Sequence, residues 1–386
     1  MHRLITDNYD VAKVCKRLEE EEFITVDTEF IREKTYYPRL CLIQVAGSVD
    51  DVAIDPLVPD IDLTPLFDLL KNPNIVKVFH AARQDIEIFH KWMGSIPTPI
   101  YDTQIAAMVC GFGEQVGYEA LVNKLLERQI DKGSRFTDWA QRPLSQKQVD
   151  YAIADVTHLR DIYTELRATI AEKGRESWIE EEMAEINKED VYLSHPEDAW
   201  KRLKYKNRDP RYLNRLRATA AWREAAAQAK DIPRGRLVKD ETVLQIATAQ
   251  PDSWETLQKV RGAKNIGKAD ADDLFSMLEQ AAAAPEETHP HTEKRAKPLS
   301  PEREAMVDVL KLLLKMRCDQ FEVASKLVAN KNDLIALARG KREEANIRCL
   351  QGWRHKVFGE AALRFLEGKL QLRAASSGKG IEFTEV

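Results

Sequence analysis

The chain has 386 residues, 44% hydrophobic and 31% charged, with a mean hydropathy of −0.45. It is long enough for two or three domains, holds no apolar run of the ~18 residues a membrane helix needs, and opens on MHRLITDNYD, which lacks the basic head and apolar stretch of a signal peptide. The net charge of −5 conceals a split: residues 1–200 carry 22 Lys and Arg against 37 Asp and Glu, whereas 201–386 carry 36 against 26. Such asymmetry points to a nucleic-acid partner gripped by the basic half, while the acidic half would repel phosphates unless some of its carboxylates hold metal ions. Cys15, Cys41, Cys110, Cys318 and Cys349 form no C-x-x-C pair, so reduced, buried thiols in a cytoplasmic protein are expected rather than a disulfide frame or zinc site.

In chain order, FITVDTEF (23–30), LCLIQVAG (40–47), DVAIDP (51–56), IVKVFH (75–80) and PIYDT (99–103) are short β-rich runs. The first three are joined by short connections and should pair antiparallel, and helical patterns follow, so the reading is an α/β domain with a mixed sheet. Pro143 and an N-cap at Ser145 open a long helix over about 146–170. Beyond Lys201 the strand signals fade into two helical sets, at about 207–283 and 299–373, separated by a solvated linker at 284–298 and followed by a flexible tail at 374–386.

Three short constellations carry the chemistry. Asp27-Thr28-Glu29 places two carboxylates on one face of a strand end, a costly arrangement unless a divalent cation is shared between them. Asp85 lies where the chain turns from a strand into a helix, a common location for sites in α/β proteins, with His80 and Arg83 in the same turn. Tyr151 and Asp155 stand one turn apart on one face of the long helix, a spacing that allows a phenol and a metal-bound carboxylate to hold one water. Taken singly each has a plainer reading: a solvated strand-end pair, a helix-N-terminal acid favoured by the dipole, a surface hydrogen-bonding pair. Their conjunction is what draws attention.

With all three in order, the chain resembles the ribonuclease D family within the DEDDy class of 3'-to-5' exonucleases. The likeness rests on Asp27-Thr28-Glu29-Phe30 followed by YYPRLCLIQ, on VFHAARQDIEIF with Asp85, on Tyr151-Ala152-Ile153-Ala154-Asp155-Val156, and on the companions YDTQIAA, GYEALVNKLL and WAQRPLSQKQ. It implies a ribonuclease H-like catalytic domain over 1–200, a mixed sheet flanked by helices, followed by two small all-α HRDC-like domains in the two helical sets, the second being the looser match.

The resemblance further implies that Asp27, Glu29, Asp85 and Asp155 hold two divalent metal ions, Mg²⁺ or Mn²⁺, and that Tyr151 completes the catalytic set. The implied substrate is RNA, tRNA precursors with 3' extensions above all, with no membrane and no obligate protein partner. Thr28, Phe30, Gln44 and His80 are candidate substrate contacts near the site, as are Lys204, Lys206 and Arg211 in the basic segment that leads into the first helical set. The acids and the tyrosine do not by themselves distinguish RNA from DNA. A DNA exonuclease and a non-catalytic RNA-binding protein remain the competing readings at this level.

Overall fold

The computed structural model of the chain describes residues 3–131, 133, 137–291, 298–341, 347–375 and 380–386. Residues 292–297 of the expected linker and 376–379 of the expected tail lie outside the described residues.

Strand β1 (Arg3–Ile5) and helix α1 (Asn8–Leu18) precede a meander of β2 (Phe23–Ile31), β3 (Arg39–Ala46) and β4 (Asp51–Ile54), antiparallel throughout because its connections are short. After α2 (Thr64–Lys71), β5 (Val76–Phe79) pairs parallel to β2; after α3 (Arg83–Met93), β6 (Ile100–Asp102) pairs parallel to β5. The sheet order is β1-β4-β3-β2-β5-β6, so β2 lies inside the sheet. The five foreseen strands are all present, and the mixed sheet is as expected. Strand β1, parallel to β4, was not foreseen, since Arg-Leu-Ile is too short for any alternation to show.

One face of the sheet buries Ile24, Val26, Ile43 and Val45 against α1, α2 and α3. The chain continues through α4 (Thr103–Val109) and α5 (Tyr118–Leu126) to α6 (Gln146–Glu172), which packs on β2, β3 and β4. Ser145 starts α6 with a capping box closed by Gln148, as its sequence position suggests. Arg142, just before it, donates to both oxygens of Asp55 at 2.6 and 2.7 Å and to the Cys41 carbonyl at 2.6 Å. This fork ties the start of α6 to the sheet. At 27 residues the helix is ~40 Å long.

Within β5, Lys77 is fully buried, with Nζ donating to the carbonyls of Asn72 and Ile75 at 2.7 Å each and to that of Thr98. Burial pulls its pKa down to about 8, while three carbonyl acceptors, one per ammonium hydrogen, favour the charged form. Lys77→Met fills the volume but leaves those carbonyls unpaired, so a loss of ~2–4 kcal/mol is expected. The check is the urea midpoint; an unchanged midpoint would mean that the three bonds contribute nothing net.

Helix α7 (Glu176–Ile186) and two 3₁₀ turns, Glu189–Val191 and Pro196–Arg202, lead into the first helical set: α8 (Pro210–Ala229), α9 (Arg234–Leu237), α10 (Asp240–Ala249), α11 (Trp254–Leu257) and α12 (Lys268–Ala283). Its core gathers Leu213, Leu216, Trp222, Val243, Ile246 and Leu274. The set docks on the β2–β3 turn: the backbone N–H groups of Tyr36 and Tyr37 each donate to Asp231 Oδ1 at 3.0 Å, and the Tyr36 hydroxyl donates to the buried Glu224.

The second set comprises α13 (Pro301–Phe321), α14 (Ser325–Val328), α15 (Lys331–Ala338), α16 (Gly352–Arg354) and α17 (Glu360–Leu366). It shares one core with the catalytic half: Val109, Ile162, Leu166 and Met183 lie in the same cluster as Leu310, Val328, Trp353 and Phe358. Trp178 stacks on Trp353 with ring centroids 4.3 Å apart, and Arg175 Nη1 donates to the carbonyls of Val109 and Glu322 at 2.6 and 2.9 Å. The expectation of a flexible tail is corrected for its described part, because β7 (Leu370–Ala374) and β8 (Ile381–Glu385) form an antiparallel hairpin. Phe383 anchors it with its ring 5.7 Å from that of Phe365. Among the described residues no helix is long and apolar enough to cross a membrane.

Candidate active site

On β2 the residues Thr25, Asp27 and Glu29 share the face turned to α6, which follows from the two-residue period of a strand. Asp27 pairs with Gln44 across the β2–β3 ladder, and the register slips between Glu29 and Phe30. Such an irregularity beside a site re-aims the side chains that follow it. The Thr25 hydroxyl donates to the Val156 carbonyl at 2.8 Å, and the Tyr118 hydroxyl, from the N-terminus of α5, donates to the Asp155 carbonyl. The first bond holds α6 over β2 and the second ties it to α5, both at the turn that carries Asp155.

The result is a cavity of about 540 Å³ lined by Asp27, Thr28, Glu29, Phe30, His80, Tyr118, Tyr151 and Asp155, among others. Asp85 is buried behind this lining, where its Oδ1 accepts from the Thr28 hydroxyl. Its place depends on the turn before α3: Asp102 accepts from the N–H groups of Ala81 and Ala82 at 3.0 Å each and from that of Gln104 at 2.8 Å. Ala81 adopts φ 57°, a left-handed conformation unusual for alanine, within that turn.

Burial and mutual repulsion dominate the electrostatics of Asp27 and Asp85. Asp27 opens on the cavity yet lies deep in the protein; desolvation and then the field of Asp155 push its pKa up to about 8. Asp85 is held well above the usual carboxylate range by burial and by Asp27, against the Thr28 hydrogen bond that favours its charged form. Tyr118 is raised by burial and by Asp155 and Asp27, so its hydroxyl stays protonated and is a hydrogen-bond donor. Burial lowers the His80 pKa, and its Nδ1 lies 3.0 Å from the Thr103 hydroxyl. As the side chains stand, no three His, Cys, Asp or Glu groups among the described residues converge closely enough to cage an ion.

Comparison with known proteins places this geometry. The chain is 46% identical to Ribonuclease D of Zymomonas mobilis over 96% of this chain and 95% of that one, and 43% identical to Ribonuclease D of Jannaschia sp. over the whole of both. The chain belongs to the ribonuclease D family. A 3'-5' exonuclease family model matches residues 2–171, and an HRDC domain model matches residues 213–270. The fold is similar to the crystal structure of Escherichia coli RNase D, an exoribonuclease involved in structured RNA processing, with a TM-score of 0.76 at 27% identity over 95% of this chain and 99% of that one. This ribonuclease D-family chain is therefore a metal-dependent 3'-to-5' exoribonuclease with a ribonuclease H-like catalytic domain.

Of the residues singled out from the sequence, this family member brings Asp27, Thr28, Glu29, Phe30, His80, Tyr151 and Asp155 to one cavity and sets Asp85 directly behind. Gln44 is fully buried between sheet and helix and does not line the cavity. Lys204, Lys206 and Arg211 are exposed on the segment entering the first helical set, outside the cavity, and Arg211 is paired with Glu286. Tyr118 and Asp102 were not foreseen as site residues. The only sequence signals for them are their positions in GYEALVNKLL and YDTQIAA, because their partners are backbone groups far away in the chain.

Proposed function

We propose that this ribonuclease trims structured RNAs in the cytoplasm, tRNA precursors with 3' extensions above all, releasing 5'-mononucleotides one at a time. The observation that carries the reading is the pair Asp27 and Asp155 facing one cavity, with Asp27 raised to about 8. Enclosed carboxyls that oppose each other's ionisation are suited to sharing a cation, and hard oxygen donors suit Mg²⁺ or Mn²⁺. The chemistry of the donor set suits two ions once the side chains turn toward them: Asp27 would be shared, Glu29 and Asp155 would serve the ion on the nucleophile side, and Asp85 would support the other directly or through waters. Bound there, divalent ions neutralise the phosphodiester and lower the pKa of water.

The protein's own groups do the rest. Tyr151, one helical turn before Asp155, orients the attacking water by hydrogen bonding through its hydroxyl. Phe30, at the cavity rim, offers a ring against which any terminal base can stack. By the same reading the catalytic unit spans 1–200 and the HRDC-like modules span 207–283 and 299–373, the second resting on the helices α13 to α17.

The deciding experiment incubates 5'-labelled single-stranded RNA and its DNA counterpart with purified protein and Mg²⁺ or Mn²⁺, with EDTA as control. A ladder shortening one nucleotide at a time from the 3' end, on RNA in preference to DNA and absent in EDTA, is expected. DNA preference would move the reading to repair, and a single internal cut would refute stepwise trimming. In the same assay Tyr151→Phe should slow turnover about 10²-fold while leaving the Mn²⁺ titration midpoint where it was; a shifted midpoint would make Tyr151 part of the metal site instead.

A further inference from the structure

We propose that the cleft between the catalytic domain and the first helical set is a second RNA-binding site, one that takes the single-stranded backbone upstream of the 3' end. The inference rests on the exoribonuclease reading and extends it. The cleft has a volume of about 890 Å³, larger than the catalytic cavity, and none of the four metal-site candidates lines it. One wall is the β2–β3 turn with α3, contributing Arg32, Arg83 and Lys91; the other is the connector and α9, contributing Arg202 and Arg234.

The charge balance favours an anion. Five cations line the cleft against two carboxylates, Glu33 and Glu87, and the fully buried Glu224 behind the wall offsets Arg202 and Arg234 at 3.6 and 3.4 Å. The guanidinium heads are not used up by these pairings. The side chain of Arg83 is 64% exposed and that of Arg32 is 41% exposed, and their pairings with Glu87, at 3.6 and 3.3 Å, are surface ion pairs that a phosphate displaces at small cost. Tyr36 and Tyr37 supply aromatic surface beside them, with ring centroids 4.9 Å apart and Lys91 Nζ 4.1 Å from the Tyr37 centroid. Cations tracking a backbone, interleaved with aromatic faces for bases, is the composition of a single-strand groove.

Position supports the assignment. Arg32 follows Glu29 by three residues, on the order of 10 Å along the chain, and Arg83 precedes Asp85 by two on α3. These guanidinium groups thus stand on or next to the two elements that carry the acids, where a strand whose 3' end reaches the cavity would present its upstream phosphates.

The test measures binding of fluorescent single-stranded RNAs of 3, 6, 12 and 20 nucleotides in EDTA, across salt, for the wild-type chain and the Arg32→Ala/Arg83→Ala double variant. A Lys91→Ala variant is run alongside, and thermal melting of each verifies folding. Wild type should gain affinity with length, whereas the double variant should lose most of that gain, binding the 20-mer about tenfold more weakly. The slope of log K against log salt should fall by about 1.4, two phosphate contacts at ~0.7 each. Equal length gains and equal slopes in folded proteins would overturn the proposal; so would tighter binding of a blunt hairpin than of the single strand. Shortening of the same RNAs with Mg²⁺ is scored in parallel. If wild type shortens none of them, the exonuclease reading fails; if it shortens them while length gains match, the cleft alone is refuted.

Discussion

Asp27→Asn should abolish nucleotide release and yet yield a metal-free protein that melts higher than wild type at pH 8. The loss of rate, at least ~10³-fold, follows from removing the carboxylate proposed to bridge both ions, each of which contributes several kcal/mol to the transition state. The gain in stability follows from linkage. The pKa of Asp27 is raised from 3.8 to about 8 in the folded chain, by burial first and by Asp155 second. A carboxyl raised on folding contributes fully below its unfolded pKa, and that contribution is lost as pH climbs toward the folded value. Metal-free wild type should therefore weaken between pH 4 and pH 8, and the neutral amide should weaken less, since Asp85 keeps its raised pKa through burial. A melting scan in EDTA should find the two proteins equal near pH 4 and the variant ~5 °C higher at pH 8. Adding Mn²⁺ should raise only the wild type, more at pH 8 than at pH 5, since the ion must displace a proton. A variant that melts lower than wild type in EDTA at pH 8 would show that the acids are not in conflict.

The second large effect is expected far from the site. Glu182 on α7 is buried and accepts from Arg348 Nη2 at 2.9 Å and from Arg354, whose side chain is only 7% exposed, while Arg354 also reaches Glu181 at 3.0 Å. Burial holds the Glu182 carboxyl above its ordinary range even against these two guanidinium groups, so desolvation outweighs their pull. The cluster is thus poor as a source of net stability but strict as a selector of which surface of the second helical set meets α7. Glu182→Ala leaves the buried Arg354 with only the partly exposed Glu181 and the Leu327 carbonyl, at a cost of ~2–3 kcal/mol. Denaturation followed by tryptophan fluorescence should show an early transition as the Trp178–Trp353 stack opens. Replacing Glu182, Arg348 and Arg354 together by apolar residues should recover much of the loss; failure to do so would mean that the ions carry the interface energetically.

Much of the site was legible because its logic is local. The D-x-E alternation on β2, the strand-to-helix position of Asp85 and the one-turn spacing of Tyr151 and Asp155 are each fixed by backbone periodicity, and the capping pattern at Ser145 sets the phase of α6. What escaped depends on tertiary meeting points. Tyr118 matters because its hydroxyl finds a carbonyl 37 residues later, and Asp102 because its carboxylate closes the turn at Ala81 and Ala82. Gln44 looked like a ligand contact from its strand, but an antiparallel partner opposite Asp27 on a covered face is inside the protein. The joint core between the second helical set and α4, α6 and α7 was hidden for a similar reason, since apolar stripes do not declare their partners. The tail looked mobile from its Gly and Ser content, but in its described part the β7–β8 ladder, the Arg364–Glu385 ion pair and the contact of Phe383 with Phe365 make a hairpin.

The length of α6 has a consequence for the life of the protein during synthesis. Its first half carries Tyr151 and Asp155, and its second half, through Ile162, Leu166 and Ile170, belongs to the core completed by residues 307–362. Chains emerge N-terminus first and fold as units become available. A ribosome-bound chain that has exposed only the first two acids has no assembled cavity, and one that has exposed α6 still shows a naked apolar flank until the last helices arrive. The lining of the catalytic cavity is complete once α6 has been made, whereas the apolar flank of that helix waits for residues 307–362, so a chain terminated early presents an uncovered apolar surface to chaperones and proteases.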